Sequence, residues 1–96
     1  MRFQWDPEKD EANRRRHGIG FVHASELFRS GVDCLEMYDD EHSDAEERFI
    51  AIGPTSRGLL VVVWTERDAE TVRIISARKA TRRETELFRE HFGEKP

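Results

Sequence analysis

The chain is short of several things, and each shortage narrows what it can be. It holds one cysteine, Cys34, so no intrachain disulfide can brace it, and a lone thiol suits a reducing compartment. Its longest unbroken apolar run, Leu59 to Trp64, is six residues, far below the roughly 20 that cross a membrane as a helix. The opening Met1–Pro7 lacks the apolar stretch of a secretion signal. Together these lead to an expectation of a cytoplasmic protein with no membrane contact. Leu, Ile, Val and Phe make up only 22 of 96 residues, close to the level of about 20% below which chains stay unfolded. These residues are clustered, however, so one thin core is expected. That excludes a second domain, a large enclosed cavity and a dinucleotide-binding domain. The expectation is a single domain over residues 1–96, with a polar tail at 93–96.

What the chain has in excess is charge, at 38% of residues with a net of -4. The distribution is uneven. Eight acidic residues and no Lys or Arg lie between Asp33 and Glu47, whereas the remainder holds 16 basic against 12 acidic side chains. Thirteen of the basic residues are arginine, the residue suited to planar, bidentate contact with phosphate or carboxylate. The single net figure therefore averages two different surfaces.

The pattern along the chain predicts an α+β fold: a small antiparallel β-meander with two N-terminal helices and one C-terminal helix. Phe3–Trp5 alternates like a short edge strand. Asp6-Pro7 starts a helix that runs to His17 and stops at Gly18. Almost nothing in it is apolar, which marks a helix presenting a polar face to a partner or substrate. A second helix is expected from Phe21 to Ser30, with Phe21, Ala24, Leu27 and Phe28 on one stripe. Strands are expected at Leu35–Tyr38, Phe49–Ile52, Leu59–Thr65 and Thr71–Arg78, with Gly53–Gly58 and Glu66–Glu70 as turns. Leu59–Thr65 reads as a central strand buried on both faces. Thr81 and Glu84 form a capping box opening a last helix, with Leu87, Phe88, His91 and Phe92 along one side.

No motif points to a metal or cofactor, and none is expected. His17 and His23 are six apart, His42 stands in the acidic loop, and there is neither a cysteine pair nor H-E-x-x-H. The loop Asp39–Glu47 lacks the pattern of a calcium-binding loop. It reads as a solvated loop that shields a basic face or receives a basic partner. Cys34 reads as a half-buried packing residue.

The group with chemical potential is basic and hydrogen-bonding. Lys9, Asn13 and His17 recur at i, i+4 and i+8, forming one stripe on the first helix. A meander can bring Arg48, Arg67 and Arg78 to one end or face of the sheet, with Arg73 and Ser76 on its last strand; the register is left open. Such a set can bind a phosphate and stabilise developing negative charge, with His17 as proton shuttle. Each member also has a plainer use: Arg48 as partner of Glu46 or Glu47, Arg73 as an exposed strand residue, His17 as a helix-end residue.

These residues, in this order, resemble the BrnT toxin family. Phe3-Gln4-Trp5-Asp6-Pro7, Lys9, Asn13, His17-Gly18, Phe21 and Ala24 match its opening. Glu46–Gly53, Leu60–Val63 and Arg73-Ile74-Ile75-Ser76-Ala77-Arg78-Lys79-Ala80-Thr81 with Glu84 match the remainder, about Phe3 to Phe88 in all. The resemblance implies a RelE-like fold and a ribonuclease toxin of a type II toxin–antitoxin system that cleaves RNA without a metal and inhibits translation. It implies a hetero-oligomer with a BrnA-like ribbon-helix-helix antitoxin, through which alone the complex meets operator DNA. On this reading His17, Arg48 and Arg78 are catalytic, while Lys9, Asn13, Arg67, Arg73 and Ser76 bind substrate. Trp5, Trp64 or Tyr38 is a candidate for base stacking. The alternative is a non-catalytic RNA-binding module or a co-repressor subunit acting through its DNA-binding partner. The net negative charge departs from the basic character common among RelE-like toxins.

Overall fold

Leu60, Val61 and Val62 are three buried residues in a row, and a strand can bury successive residues only if both its faces are covered. The computed structural model, which describes residues 1–93, shows how this is achieved. The elements run β1 (Arg2–Gln4), α1 (Pro7–His17), α2 (Phe21–Ala24), β2 (Leu35–Tyr38), β3 (Phe49–Thr55), β4 (Gly58–Asp68), β5 (Thr71–Lys79) and α3 (Arg82–Phe92). They build a five-stranded sheet in the order β1-β5-β4-β3-β2. On one face Ile19, Phe21, Ala24 and Leu27 pack on Ala51, Leu60, Val62, Val72, Ile74 and Ala77. On the other, Phe88 and Phe92 of α3 pack on a cluster of Leu35, Ile52 and Val61. No helix of the described residues is long and apolar enough to cross a membrane.

Strands β2 to β5 form the expected antiparallel meander. The sheet as a whole is mixed, because β1 adds to β5 in parallel. The second N-terminal helix also needs correcting. It is one α-helical turn followed by a 3-10 turn over Ser25–Phe28. The Ser25 hydroxyl donates to the Val22 carbonyl, a local bond that competes with the regular helical ladder.

The turns are shorter than expected and the strands correspondingly longer. Only Ser56 and Arg57 separate the paired Thr55 and Gly58, so Gly53 and Pro54 lie within β3. Pro54 is tolerated there because β2 begins at Leu35 opposite Ile52 and does not reach further along β3, leaving that side of Pro54 without a strand to bond. Arg67, read as a loop residue, belongs to β4. On α3, Leu87 is exposed rather than packed. Of the polar tail expected at 93–96, residues 94–96 lie outside the described residues.

Gly53 is where the 3-10 turn approaches the sheet. A Cβ placed there would stand 2.6 Å from Leu27 Cδ2 and 2.8 Å from the Asp33 carbonyl oxygen, and the latter is backbone that cannot swing away. Gly53→Ala is therefore expected to destabilise the fold by about 1–3 kcal/mol, read as a lower urea midpoint with an unchanged m-value.

Candidate functional site

Helix α1 starts where the Asp6 carboxylate accepts from the Glu8 amide at 2.9 Å, and it ends at Gly18 with φ 72. It has no apolar stripe, and its one buried residue is Asn13, 7% exposed. The Asn13 side chain holds the helix in place. Its amide nitrogen donates to the Ala77 carbonyl at 2.7 Å and to the Ile19 carbonyl at 2.8 Å, while its oxygen accepts from the Ala77 N–H at 3.2 Å. Asp10 adds a second tether, accepting from the Phe21 N–H at 2.8 Å. The sequence placed Asn13 with Lys9 and His17 as a substrate-binding residue. In this structure both N–H groups of the amide are engaged by backbone carbonyls, so the side chain serves as a tether of α1.

Docked in this way, α1 forms a shallow groove of about 200 Å³ against β5, lined by Lys9, Ala12, Asn13, Arg16, His17, Ile75 and Ser76. The groove gathers Lys9, Asn13, His17 and Ser76 from the expected set and adds Arg16. Arg16 was legible seven residues, two helical turns, beyond Lys9. Among the described residues, the side chains of Lys9, Arg16 and His17 take part in no hydrogen bond or ion pair. Two of the three acids of the same helix face other groups: Asp10 faces Arg14 at 3.9 Å and Glu11 faces Arg15 at 3.8 Å. Three exposed basic side chains without a carboxylate partner can receive an anion without first breaking an ion pair.

The sheet arginines are arranged differently. Thr65, Val63 and Val61 of β4 pair with Arg73, Ser76 and Arg78 of β5 across an irregularity that leaves Ile75 without a partner. This bulge absorbs the odd spacing and puts Arg73, Ser76 and Arg78 on the face that carries α3. The Arg48 and Arg67 guanidiniums meet one carboxylate, Glu46, at 3.6 and 3.8 Å. Arg48 Nε is buried with no hydrogen-bond partner. Arg78 lies apart from them. It is opposite Val61, and with Arg48 adjoining Phe49, the partner of Trp64, the two are roughly 13 Å apart along the sheet at the usual strand rise. Arg78 makes a bidentate pair with Glu84, at 2.6 and 2.7 Å. Thus Arg48 and Arg67 converge, Arg78 does not join them, and among the described residues Arg73 has no ion-pair partner.

Other candidates lack reactive geometry. Burial pushes the Cys34 thiol up to about 11, which disfavours the nucleophilic thiolate. His42 faces the buried Asp39 at 3.1 Å. Among the described residues no three His, Cys, Asp or Glu side chains gather as a metal site requires. Trp64 lies in an aromatic row with Phe28 and Phe49, at 5.3 and 4.9 Å between ring centroids. The row continues from Phe49 to the exposed Tyr38 at 5.8 Å. Trp5 stands edge-on to the buried Phe21 at 6.1 Å.

Comparison with known proteins places this geometry in context. The profile of a family described as the ribonuclease toxin, BrnT, of type II toxin–antitoxin systems matches residues 5–84. The crystal structure of the Brucella abortus ribonuclease toxin BrnT superposes with a TM-score of 0.63 at 24% sequence identity, covering 85% of this chain and 99% of that one. At that identity the likeness speaks for the fold. No curated protein matches the sequence.

The Arg78–Glu84 pair makes a prediction about acid stability. The Arg78 guanidinium holds the Glu84 carboxyl down from 4.5 to about 2. A carboxylate depressed in the folded state stabilises it above its unfolded pKa. The contribution is thus full above about pH 4.5 and disappears as pH falls toward 2. Glu84→Gln should lower stability by about 1–2 kcal/mol at pH 7, given the partial exposure of the pair. In unfolding titrations across pH, the variant and parent curves should converge in acid.

Proposed function

The chain belongs to the BrnT family of ribonuclease toxins of type II toxin–antitoxin systems, and from that premise we propose that it cleaves RNA at the groove between α1 and β5. The observation that carries this reading is the convergence of Lys9, Arg16 and His17 on one groove with no carboxylate paired to any of them. We place the scissile phosphate there rather than at Arg48 or Arg78, because each of those guanidiniums already faces a glutamate.

The chemistry follows from the substrate. In RNA the 2′-oxygen attacks the adjacent phosphorus and the bond to the 5′-oxygen breaks, leaving a 2′,3′-cyclic phosphate and a 5′-hydroxyl. The nucleophile belongs to the RNA, so no protein nucleophile is needed, and no step calls for a metal. His17 removes the 2′-hydroxyl proton, and the Lys9 ammonium supplies a proton to the departing 5′-oxygen. Arg16 faces the non-bridging oxygens, whose charge grows in the transition state. Ser76 and the unpaired Arg73 carry the strand out of the groove over the sheet, toward Arg48 and Arg67. Cleavage inhibits translation in the cytoplasm. A BrnA-type ribbon-helix-helix antitoxin neutralises the enzyme in a hetero-oligomer and is its only link to operator DNA; the family resemblance supports this part.

Incubation of the purified chain with RNA in EDTA tests the reading. The parent should produce fragments with cyclic phosphate ends, and His17→Ala should lower the rate by about 100-fold or more. The double variant Lys9→Ala/Arg16→Ala should weaken binding and reduce the slope of log affinity against log salt by about 1.4, the value for two single-strand phosphate contacts. Salt-sensitive binding with intact RNA would replace this reading with that of a binding module.

A further inference from the structure

We propose that Asn13 is a positioning residue for RNA cleavage: it acts as a one-residue surrogate strand on the outer edge of β5, and this sets the place of His17 in the groove. The proposal rests on reading that groove as the RNA site. The edge needs such a surrogate because β1 is three residues long and pairs only with Thr71, Val72 and Arg73. Beyond Arg73 no strand covers that side of β5. At Ala77 the Asn13 carboxamide donates to the carbonyl and accepts from the N–H of the same residue. This two-bond exchange is the one that a directly opposite residue of an antiparallel neighbouring strand makes with its own N–H and C=O. The second amide N–H fixes Ile19 just past the helix end, so one side chain ties the helix, the turn after it and the sheet edge together.

The consequence for the groove is geometric. Lys9, Asn13 and His17 are successive turns of one helix face, and Ile75 and Ser76 immediately precede the residue that Asn13 grips. The rest of α1 offers no apolar stripe to resist sliding or rolling on β5. The amide thus fixes how far His17 lies from Ser76 and from a phosphate bound between them. Proton transfer is sensitive to displacements of about 1 Å, whereas long cationic side chains adjust to hold a phosphate. Loss of the amide should therefore act on turnover more than on binding.

Two variants separate positioning from folding. Asn13→Ala removes all three bonds; Asn13→Asp is isosteric, keeps the acceptor for Ala77 N–H and removes both donors. In the full chain, with folded fractions matched by circular dichroism, each should lower kcat on an RNA oligonucleotide by about 10-fold and leave KM within a factor of about two, since the phosphate-holding cations are intact. The same substitutions in a His17→Ala background should then have almost no effect, because groups that act as a unit are non-additive. Without RNA, proton NMR should show faster exchange of the Ala77 amide in Asn13→Ala and displaced His17 ring signals in both variants, with β4 amides unchanged. An equal loss of kcat in both backgrounds, unmoved His17 ring signals, or failure of both variants to fold would overturn the proposal. If the parent itself cuts no RNA, the ribonuclease reading fails, while exchange and ring signals still decide whether Asn13 sets the groove.

Discussion

An unpaired sheet edge is the constraint around which this small molecule is organised. Strand β5 is nine residues long, but its neighbour on the outer side is three. A buried peptide group left without a partner costs about 1–3 kcal/mol, and an open edge invites pairing with another chain. The Asn13 amide closes this edge at Ala77. It also gives a helix without an apolar face a reason to stay on the sheet. The seam made by that contact is where Lys9, Arg16 and His17 meet β5. Structure and site thus share one small set of hydrogen bonds.

Charge is arranged by the same local logic. The net of -4 argues against RNA only if charge acts as a sum, and at physiological salt it does not, because exposed charges are screened beyond about 8 Å. The acidic segment meets neighbouring side chains: Glu46 faces Arg48 and Arg67, and Asp39 lies against the His42 ring. On α1, Asp10 and Glu11 face Arg14 and Arg15, while Lys9, Arg16 and His17 line the groove against β5. On the reading proposed above, contact with a polyanion is confined to a groove rather than spread over a basic surface.

What could be read from the sequence divides along physical lines. Both ends of α1 were legible because Asp6, Pro7 and Gly18 act through their own backbone and immediate neighbours. The same holds for the start of α3, where Thr81 and Glu84 cap each other. The burial of β4 was legible from its unbroken apolar run. The parallel pairing of β1 was not, since three alternating residues carry no direction. The bulge at Ile75 was invisible because nothing in Thr71–Lys79 marks it, and it decides which face Arg73, Ser76 and Arg78 share. Glu84 was read as a cap and proves also to be the partner of Arg78. Asn13 was the instructive case. A polar residue on a polar stripe gives no sign that it is the one to be buried, because its partner lies 64 positions away.

The thinness of the core bears on the chemistry as well. Among the described residues, a chain with so few apolar side chains builds two small clusters on either side of one sheet, and the groove beside α1 is open rather than enclosed. Many reactions require enclosure, to exclude water from a reactive intermediate or to raise the strength of a few charges. Cleavage by an internal 2′-hydroxyl makes a lighter demand: the nucleophile is already tethered beside the phosphorus, and a proton acceptor and a few cations suffice to guide it. A shallow groove with one imidazole, one ammonium and one guanidinium meets that demand. What such a groove cannot supply by enclosure it must supply by rigidity, and on the reading proposed above that rigidity comes from the Asn13 amide, bonded to Ile19 and Ala77.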